Sequence, residues 1–188
     1  MNYKVLLSSM VLASFATLAS ASDTNLVQNG DFQTGYFTNW SISGPVDFNF
    51  ISYIDAQHQF VWTNGTAGEL TQISQAITTV VGQSYTLSFD LMGTGTPNAL
   101  VVNFGDNLTP FSQTNVELPN WTHITITGLV ANNNNSVLAF GSRNDGDFNN
   151  VDNISLIAAV PEPETYAMLL AGLGLVGAAT RRRNGKTA

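Results

Sequence analysis

Between Gln83 and Met92 the chain reads QSYTLSFDLM, so that Tyr85, Leu87, Phe89 and Leu91 alternate with Thr86, Ser88 and Asp90. A period of two places four large apolar side chains on one side of an extended strand and the polar ones on the other. Such a segment demands a sheet with one buried face, and a helix would scatter the same residues around its circumference. Further short segments follow the same logic. Val46 to Ile54 sets Val46, Phe48, Phe50 and Ile54 against Asp47, Asn49 and Tyr53, with Gln59 to Trp62 as another short strand. Glu69 to Thr79 meets the Gln83 strand at a Val81-Gly82 turn, and Leu100 to Phe104, Thr122 to Val130, Ser136 to Ser142 and Val151 to Ala159 come after. The opening NLVQNGDF, Asn25 to Phe32, reads as a short strand running into an Asn-Gly turn, Asn132 to Asn135 reads as a loop, and Trp40 reads as a core residue. Nine or ten short strands with no long helical period predict an all-β body built as a two-sheet jelly-roll β-sandwich.

Both ends of the chain have a different character. Lys4, the apolar run Val5 to Leu18 and Ala19-Ser20-Ala21 form a secretory signal helix with cleavage after Ala21. At the other end, Pro161-Glu162-Pro163 precedes an uncharged run from Thr165 to Thr180, and Arg181, Arg182 and Arg183 follow. That run would span about 24 Å as a helix against a hydrocarbon core of about 30 Å, and the arginines favour the cytoplasmic side. Gly172, Gly174 and Gly177 spell G-x-G-x-x-G but lack the strand and second βαβ half of a dinucleotide site, so they read as small residues in a membrane helix. The tail resembles the PEP-CTERM signal of Gram-negative bacteria. That resemblance implies processing by a membrane-embedded exosortase and export to the cell surface or extracellular matrix, with transient or permanent anchoring by the C-terminal helix. Three parts result: a signal peptide at 1–21, a sandwich at 22–160 and a sorting tail at 161–188.

Removing the ends changes the charge. Only Arg143 of six basic residues lies between 22 and 160, against eleven of thirteen acidic ones, so the body carries −10. A body without lysine has no cations to displace from phosphate, which argues against nucleic acid and against anionic lipid as partners. The chain has no cysteine, so thiol catalysis and thiolate metal sites are excluded.

Three segments, NLVQNGDFQTG followed by Trp40, ELTQISQAITTVVGQSYTLSFDL, and LAFGSRNDGDFNNVDNISL, resemble the carbohydrate-binding-module-like jelly rolls that precede PEP-CTERM tails. By strand parity Asp152 shares a face with Ile154 and Leu156, where an unpaired charge is costly. The resemblance implies a structural calcium ion held by Asp152 and by the last position of the opening N-G-x-F-E motif. Here that position is Gln33, an amide, with Asp31 or Asp55 available to supply the missing charge.

A sugar-binding face needs flat rings and nearby amides or carboxylates. Asp90, Asn103 and His123 lie on the polar parity of their strands, Trp121 shares the parity of His123, and Tyr53 and Trp62 would extend the face. His58 and His123 are the only histidines, and no G-x-S-x-G or H-E-x-x-H motif is present. Carboxylate pairs drawn from Asp55, Glu69 and Asp90 are the only catalytic option. The sequence therefore predicts a secreted, non-enzymatic module that binds exopolysaccharide or another surface glycan. The alternatives are a purely structural matrix protein and a glycan hydrolase.

Overall fold

The computed structural model describes residues 24–105, 108–159 and 169–176. The signal segment 1–21, Pro161, Glu162, Pro163 and Arg181, Arg182, Arg183 lie outside the described residues. In chain order the strands are β1 (Ser41–Ser43), β2 (Asn49–Tyr53), β3 (Phe60–Asn64), β4 (Thr71–Thr78), β5 (Ser84–Gly93), β6 (Asn98–Phe104), β7 (Leu108–Thr114), β8 (Leu118–Val130), β9 (Asn135–Asn144) and β10 (Asn149–Ala158). They form two five-stranded antiparallel sheets, β1-β4-β9-β6-β7 and β2-β3-β10-β5-β8. The body is a jelly-roll β-sandwich. Residues 169–176 are helical, and among the described residues no helix is long and apolar enough to cross a membrane. The rest of the uncharged run expected to form a membrane helix, residues 165–168 and 177–180, lies outside the described residues.

The alternation in β5 does what its period requires. Tyr85, Leu87, Phe89 and Leu91 are buried between the sheets, while Thr86, Ser88 and Asp90 face outward. Phe89 meets Phe140 of β9 edge-on at 5.2 Å between ring centroids and Phe111 of β7 at 5.5 Å, so one ring ties both sheets together. Full burial of such a ring stabilises by about 1.5–3 kcal/mol, with the edge-to-face geometry adding to it. Trp40 is also in this core, stacked on Phe32 at 5.9 Å, and its indole N–H donates to the Asn29 carbonyl at 3.0 Å.

Three local expectations are corrected. The N-terminal segment is not a strand: it runs along β10, with Leu26 N donating to Leu156 O and Ile154 N donating to Gly30 O, both at 2.9 Å. Val46 and Phe48 do not belong to an inward-facing row. Phe48 has φ of 57° and is 65% exposed, β2 begins only at Asn49, and Phe50 and Ile54 also reach solvent. β1 and β7 were not anticipated, because SIS is too short and LTPFSQT too polar and proline-interrupted to show a clear period.

Gly30 is required by close approach rather than by a turn. A Cβ there would lie 2.1 Å from the Ile154 carbonyl oxygen, which is backbone and cannot swing aside. Gly30→Ala is expected to prise the N-terminal segment off β10 and lower stability by about 2–4 kcal/mol in denaturant titration. An unchanged midpoint would refute this packing.

Candidate functional site

Strand β10 is the centre of the second sheet, and a bulge between Asp152 and Ser155 decides which of its side chains reach the outer face. Before the bulge Val151 pairs with Leu91 and points inward, while Asp152 pairs with Asp90 on the outside. The extra residue resets the parity so that Ile154 and Leu156 return to the core. Asp152 therefore does not share the face of Ile154 and Leu156, as strict alternation predicted. The left-handed backbone of Asn153, φ 51°, is the visible mark of the irregularity.

Across this outer face runs a bridge. The β2–β3 loop folds back over the sheet, held by Asp55 Oδ1, which accepts from the backbone N–H of His58 at 2.7 Å and of Gln57 at 2.8 Å. The His58 N–H, opposed by partial desolvation and helped by that of Gln57, holds the Asp55 carboxyl below its ordinary value. His58 then reaches as far as β8 and stacks on Trp121, with ring centroids 4.0 Å apart and planes 14° from parallel. Its Nε2 lies 3.4 Å from Asp90 Oδ2 on β5. His123 Nδ1 approaches the other Asp90 oxygen at 2.6 Å, and Asn153 Nδ2 donates to Oδ2 at 2.8 Å. Burial alone would raise the Asp90 pKa, but the hydrogen bonds from Asn153, His123 and His58 hold it below the ordinary value. An ionised carboxylate only accepts, so each ring nitrogen facing it carries a proton. Two polar atoms of the bridge, His58 Nδ1 and Trp121 Nε1, are buried without a well-formed hydrogen bond, and both lie beside Asp55.

Beside the bridge, toward the end loops, the same face opens into a cleft of about 370 Å³. Its sides are Phe50 and Ile54 from the β2 side, Met92 of β5, Pro119 of β8 and Phe148 of the β9–β10 loop. Phe50 and Phe148 meet edge-on at 5.9 Å. The polar floor is a ladder, with Ser52 Oγ hydrogen bonded to Thr63 Oγ1 and Thr63 Oγ1 donating to Asn150 Oδ1 at 2.8 Å. Asp147 and Thr94 close one end, joined by the Thr94 hydroxyl donating to Asp147 Oδ2 at 2.9 Å. Apolar rings over a floor of hydroxyls and an amide suit a ligand that is apolar on its faces and polar at its rim. A hollow of about 480 Å³ on the other sheet, against Gln28, Asn39 and Gln75, has neither an aromatic nor an ionisable side chain.

The residues expected to form one sugar-binding face are divided. Asp90, Trp121 and His123 are brought together on the outer face of the second sheet. Trp62 is 1% exposed and packs in the core, its indole N–H donating to Asn49 Oδ1 at 2.7 Å. Asn103 is on β6 of the opposite sheet, where its amide oxygen accepts from Thr109. Tyr53 follows the parity of Ile51 and Trp62, on the other side of the sheet from Phe50, and packs edge-on against Phe60. Phe50, Ile54, Phe148 and Asn150 were missed as cleft residues. The aromatic that ends RNDGDF, the half-buried Phe148, was the only local signal for any of them.

Of the residues expected to hold calcium, Gln33 is exposed and donates its amide to the Asp31 carbonyl at 2.9 Å, and the charge of Asp31 acts on the Asp152 carboxyl. No group of three His, Cys, Asp or Glu side chains among the described residues is placed to hold a metal ion. Asp152 itself is 1% exposed, and its carboxyl is pushed up to about 7, chiefly by burial, against the lowering effect of the Asn153 N–H and with the facing charges of Asp90 and Asp31 adding to the rise.

The fold is one that this chain shares with carbohydrate-binding modules. The chain superposes on TmCBM61 in complex with beta-1,4-galactotriose with a TM-score of 0.62 at 16% identity, over 72% of this chain and 99% of that one. It superposes on the C-terminal family 22 carbohydrate binding module of Clostridium thermocellum Xyn10B with a TM-score of 0.55 at 12% identity, over 74% and 97%. A like match, TM-score 0.55 at 19% identity, covers 72% of this chain but 21% of the Bacteriophage CBA120 tailspike protein 4 enzymatically active domain. Residues 159–183 match the PEP-CTERM protein-sorting motif, which implies secretion and processing by an exosortase. Comparison with curated protein sequences gives no match.

Because the folded pKa of Asp152, about 7, lies above the ordinary 3.8, the folded protein keeps this proton longer than the unfolded chain. Its contribution is fully present below about pH 4 and is lost as pH rises to about 7, after which the loss is constant. Asp152→Asn preserves the acceptor for the Asn153 N–H and cannot ionise. The variant is expected to match the parent near pH 4 and to exceed it near pH 8 by about 1–3 kcal/mol in thermal or denaturant unfolding. A difference independent of pH would overturn this reading.

Proposed function

We propose that this is a non-enzymatic glycan-binding protein of the cell surface or extracellular matrix, which holds exopolysaccharide in the cleft on the outer face of the second sheet. The observation that carries the reading is the cleft itself, where the rings of Phe50 and Phe148 and the apolar groups of Ile54, Met92 and Pro119 surround the Thr63–Asn150 floor. Pyranose rings present C–H faces to aromatic groups and hydroxyls at their edges, and the cleft offers both partners. Two of the superposed structures support the assignment: one holds a galactotriose, and the other is described by the role of its cleft in ligand binding.

The bridge is a separate feature of the same face: Trp121 is stacked under His58, and Asp90 is engaged by Asn153, His123 and His58. A carboxylate held ionised by three donors is a poor general acid, and Asp55 is likewise held ionised. Neither supplies the protonated carboxyl that glycoside hydrolysis requires, and Asp152, which keeps its proton to about pH 7, is 1% exposed and beyond a substrate's reach. The tail entering the membrane before processing is part of the same proposal.

Full-length protein in detergent is expected to be retarded in gels cast with the producer's own polysaccharide. Phe50→Ala and Phe148→Ala should each weaken that retardation by about tenfold in apparent Kd, the cost of losing one stacking ring, while Asn103→Ala on the other sheet leaves it unchanged. Absence of retardation in the parent protein would return it to a structural matrix role. Release of reducing sugar would make it a hydrolase.

A further inference from the structure

The two ends of the sandwich differ sharply in chemistry. At the end formed by the β3–β4, β5–β6, β7–β8 and β9–β10 connections lie Glu69, Glu117, Asp145 and Asp147, with Asp47 nearby and Arg143 as the only cation. At the opposite end the described residues 76–86, 126–138 and 155–159 contain no charged side chain. Asp106, next in sequence to Gly105, lies outside the described residues. Four valines are exposed there: Val80 at 63%, Val81 at 57%, Val130 at 48% and Val137 at 47%.

Their exposure does not come from a slack loop. Val80 N donates to the Tyr85 hydroxyl at 2.9 Å, Gln83 N to Val80 O at 3.0 Å, and Gly82 N to Ala131 O at 2.8 Å. Gly82, with φ of 80°, allows the tight turn that thrusts the two valines outward. The sorting tail starts from this same end. Ala159, the first residue of the matched motif, donates its N–H to Ser84 O at 2.8 Å and accepts from Gln83 Nε2 at 2.8 Å. The fold therefore holds the chain until the motif begins, two residues in sequence from Val81 on the partner segment.

We infer that the valine end rests on the lipid bilayer while the tail is in place, with Val80, Val81 and Val130 in the interfacial layer and the acidic end facing away. A tail pinned at Ala159 brings this end, and no other, within reach of the surface that receives residues 165–180. Exposed aliphatic groups without charges gain by entering the headgroup and acyl boundary. Five of the eleven body carboxylates, Asp47, Glu69, Glu117, Asp145 and Asp147, are carried at the far end, beyond the reach of a screened surface potential. The inference rests on the reading that the tail enters the membrane.

The chain has no cysteine, so single substitutions give unique labelling sites. Full-length Val81→Cys, Ala67→Cys at the acidic end and Gly174→Cys in the tail would each carry a small fluorophore. Each would be reconstituted in phosphatidylcholine–phosphatidylglycerol vesicles bearing acyl-chain nitroxide, after a melting curve has matched it to the parent. The Val81 label should be quenched about threefold or more above the Ala67 label, and added salt should not change this, as expected for apolar rather than ionic contact. Quenching at Gly174 with equal, weak quenching at Val81 and Ala67 overturns the inference and leaves the tail reading intact. Loss of quenching at Gly174 overturns both. Protection of Val81 from aqueous iodide that depends on protein concentration, without nitroxide quenching, assigns the patch to a second copy of the chain and also overturns it.

Discussion

The bulge in β10 is the feature on which the rest depends. One extra residue between Asp152 and Ser155 lets a single strand serve two purposes. Beyond it, Ile154 and Leu156 fill the core, and the N-terminal segment is received through Gly30 and through Asn25, whose side chain accepts from Leu156 N at 3.0 Å and donates to Ile154 O at 3.2 Å. Before it, Asn150 and Asp152 face outward, one into the cleft floor and the other beneath the bridge. The unpaired backbone that a bulge leaves open would be costly if buried, and the Asn25 side chain satisfies it.

The outer face built on that strand is polar but neutralised with care. Asp90 and Asp152 are opposite partners in the ladder, and two adjacent buried carboxylates do not both remain charged at low cost. The structure resolves this by giving Asp90 three donors and leaving Asp152 a single backbone donor in a buried place. Of the two, Asp152 keeps its proton longer, and Asp90 is the anion to which both histidines turn. His58 is thereby held over the sheet, stacked on Trp121, beside a cleft whose own lining is largely apolar.

Much of the fold could be read from the chain. The row Tyr85, Leu87, Phe89, Leu91 required an inward face, and the strands expected around Glu69 to Thr79, Leu100 to Phe104, Thr122 to Val130, Ser136 to Ser142 and Val151 to Ala159 are all present near their expected limits. Periodicity failed where a backbone irregularity intervened. Val46, Phe48, Phe50 and Ile54 were expected on one face of one strand because their spacing is even, yet the positive φ at Phe48 and the late start of β2 leave Val46 and Phe48 outside that strand. Asp152 was assigned to the core face for the same reason, since parity counted through a bulge is inverted. Trp62 had the composition of a sugar platform, and only its pairing with Val151 sends it inward. His58 drew attention only as one of two histidines, because nothing in its neighbourhood announces a loop that crosses three strands to reach Trp121.

What the sequence determined by itself is what local pattern can carry: an all-β sandwich, from period-two alternation, and a sorting tail, from a contiguous run of Pro-Glu-Pro, apolar residues and arginines. Both are written in neighbouring residues, so no knowledge of distant contacts is needed to read them. The tertiary structure alone decided which residues share a surface. Phe50, Asn150, Met92, Pro119 and Phe148 are separated by up to about a hundred positions and meet only because β2, β10, β5 and β8 lie side by side. The concentration of carboxylates at one end and valines at the other likewise arises from strand direction. Antiparallel pairing gathers alternate turns at each end of a sandwich, and a linear chain shows no trace of that sorting until the strands have paired.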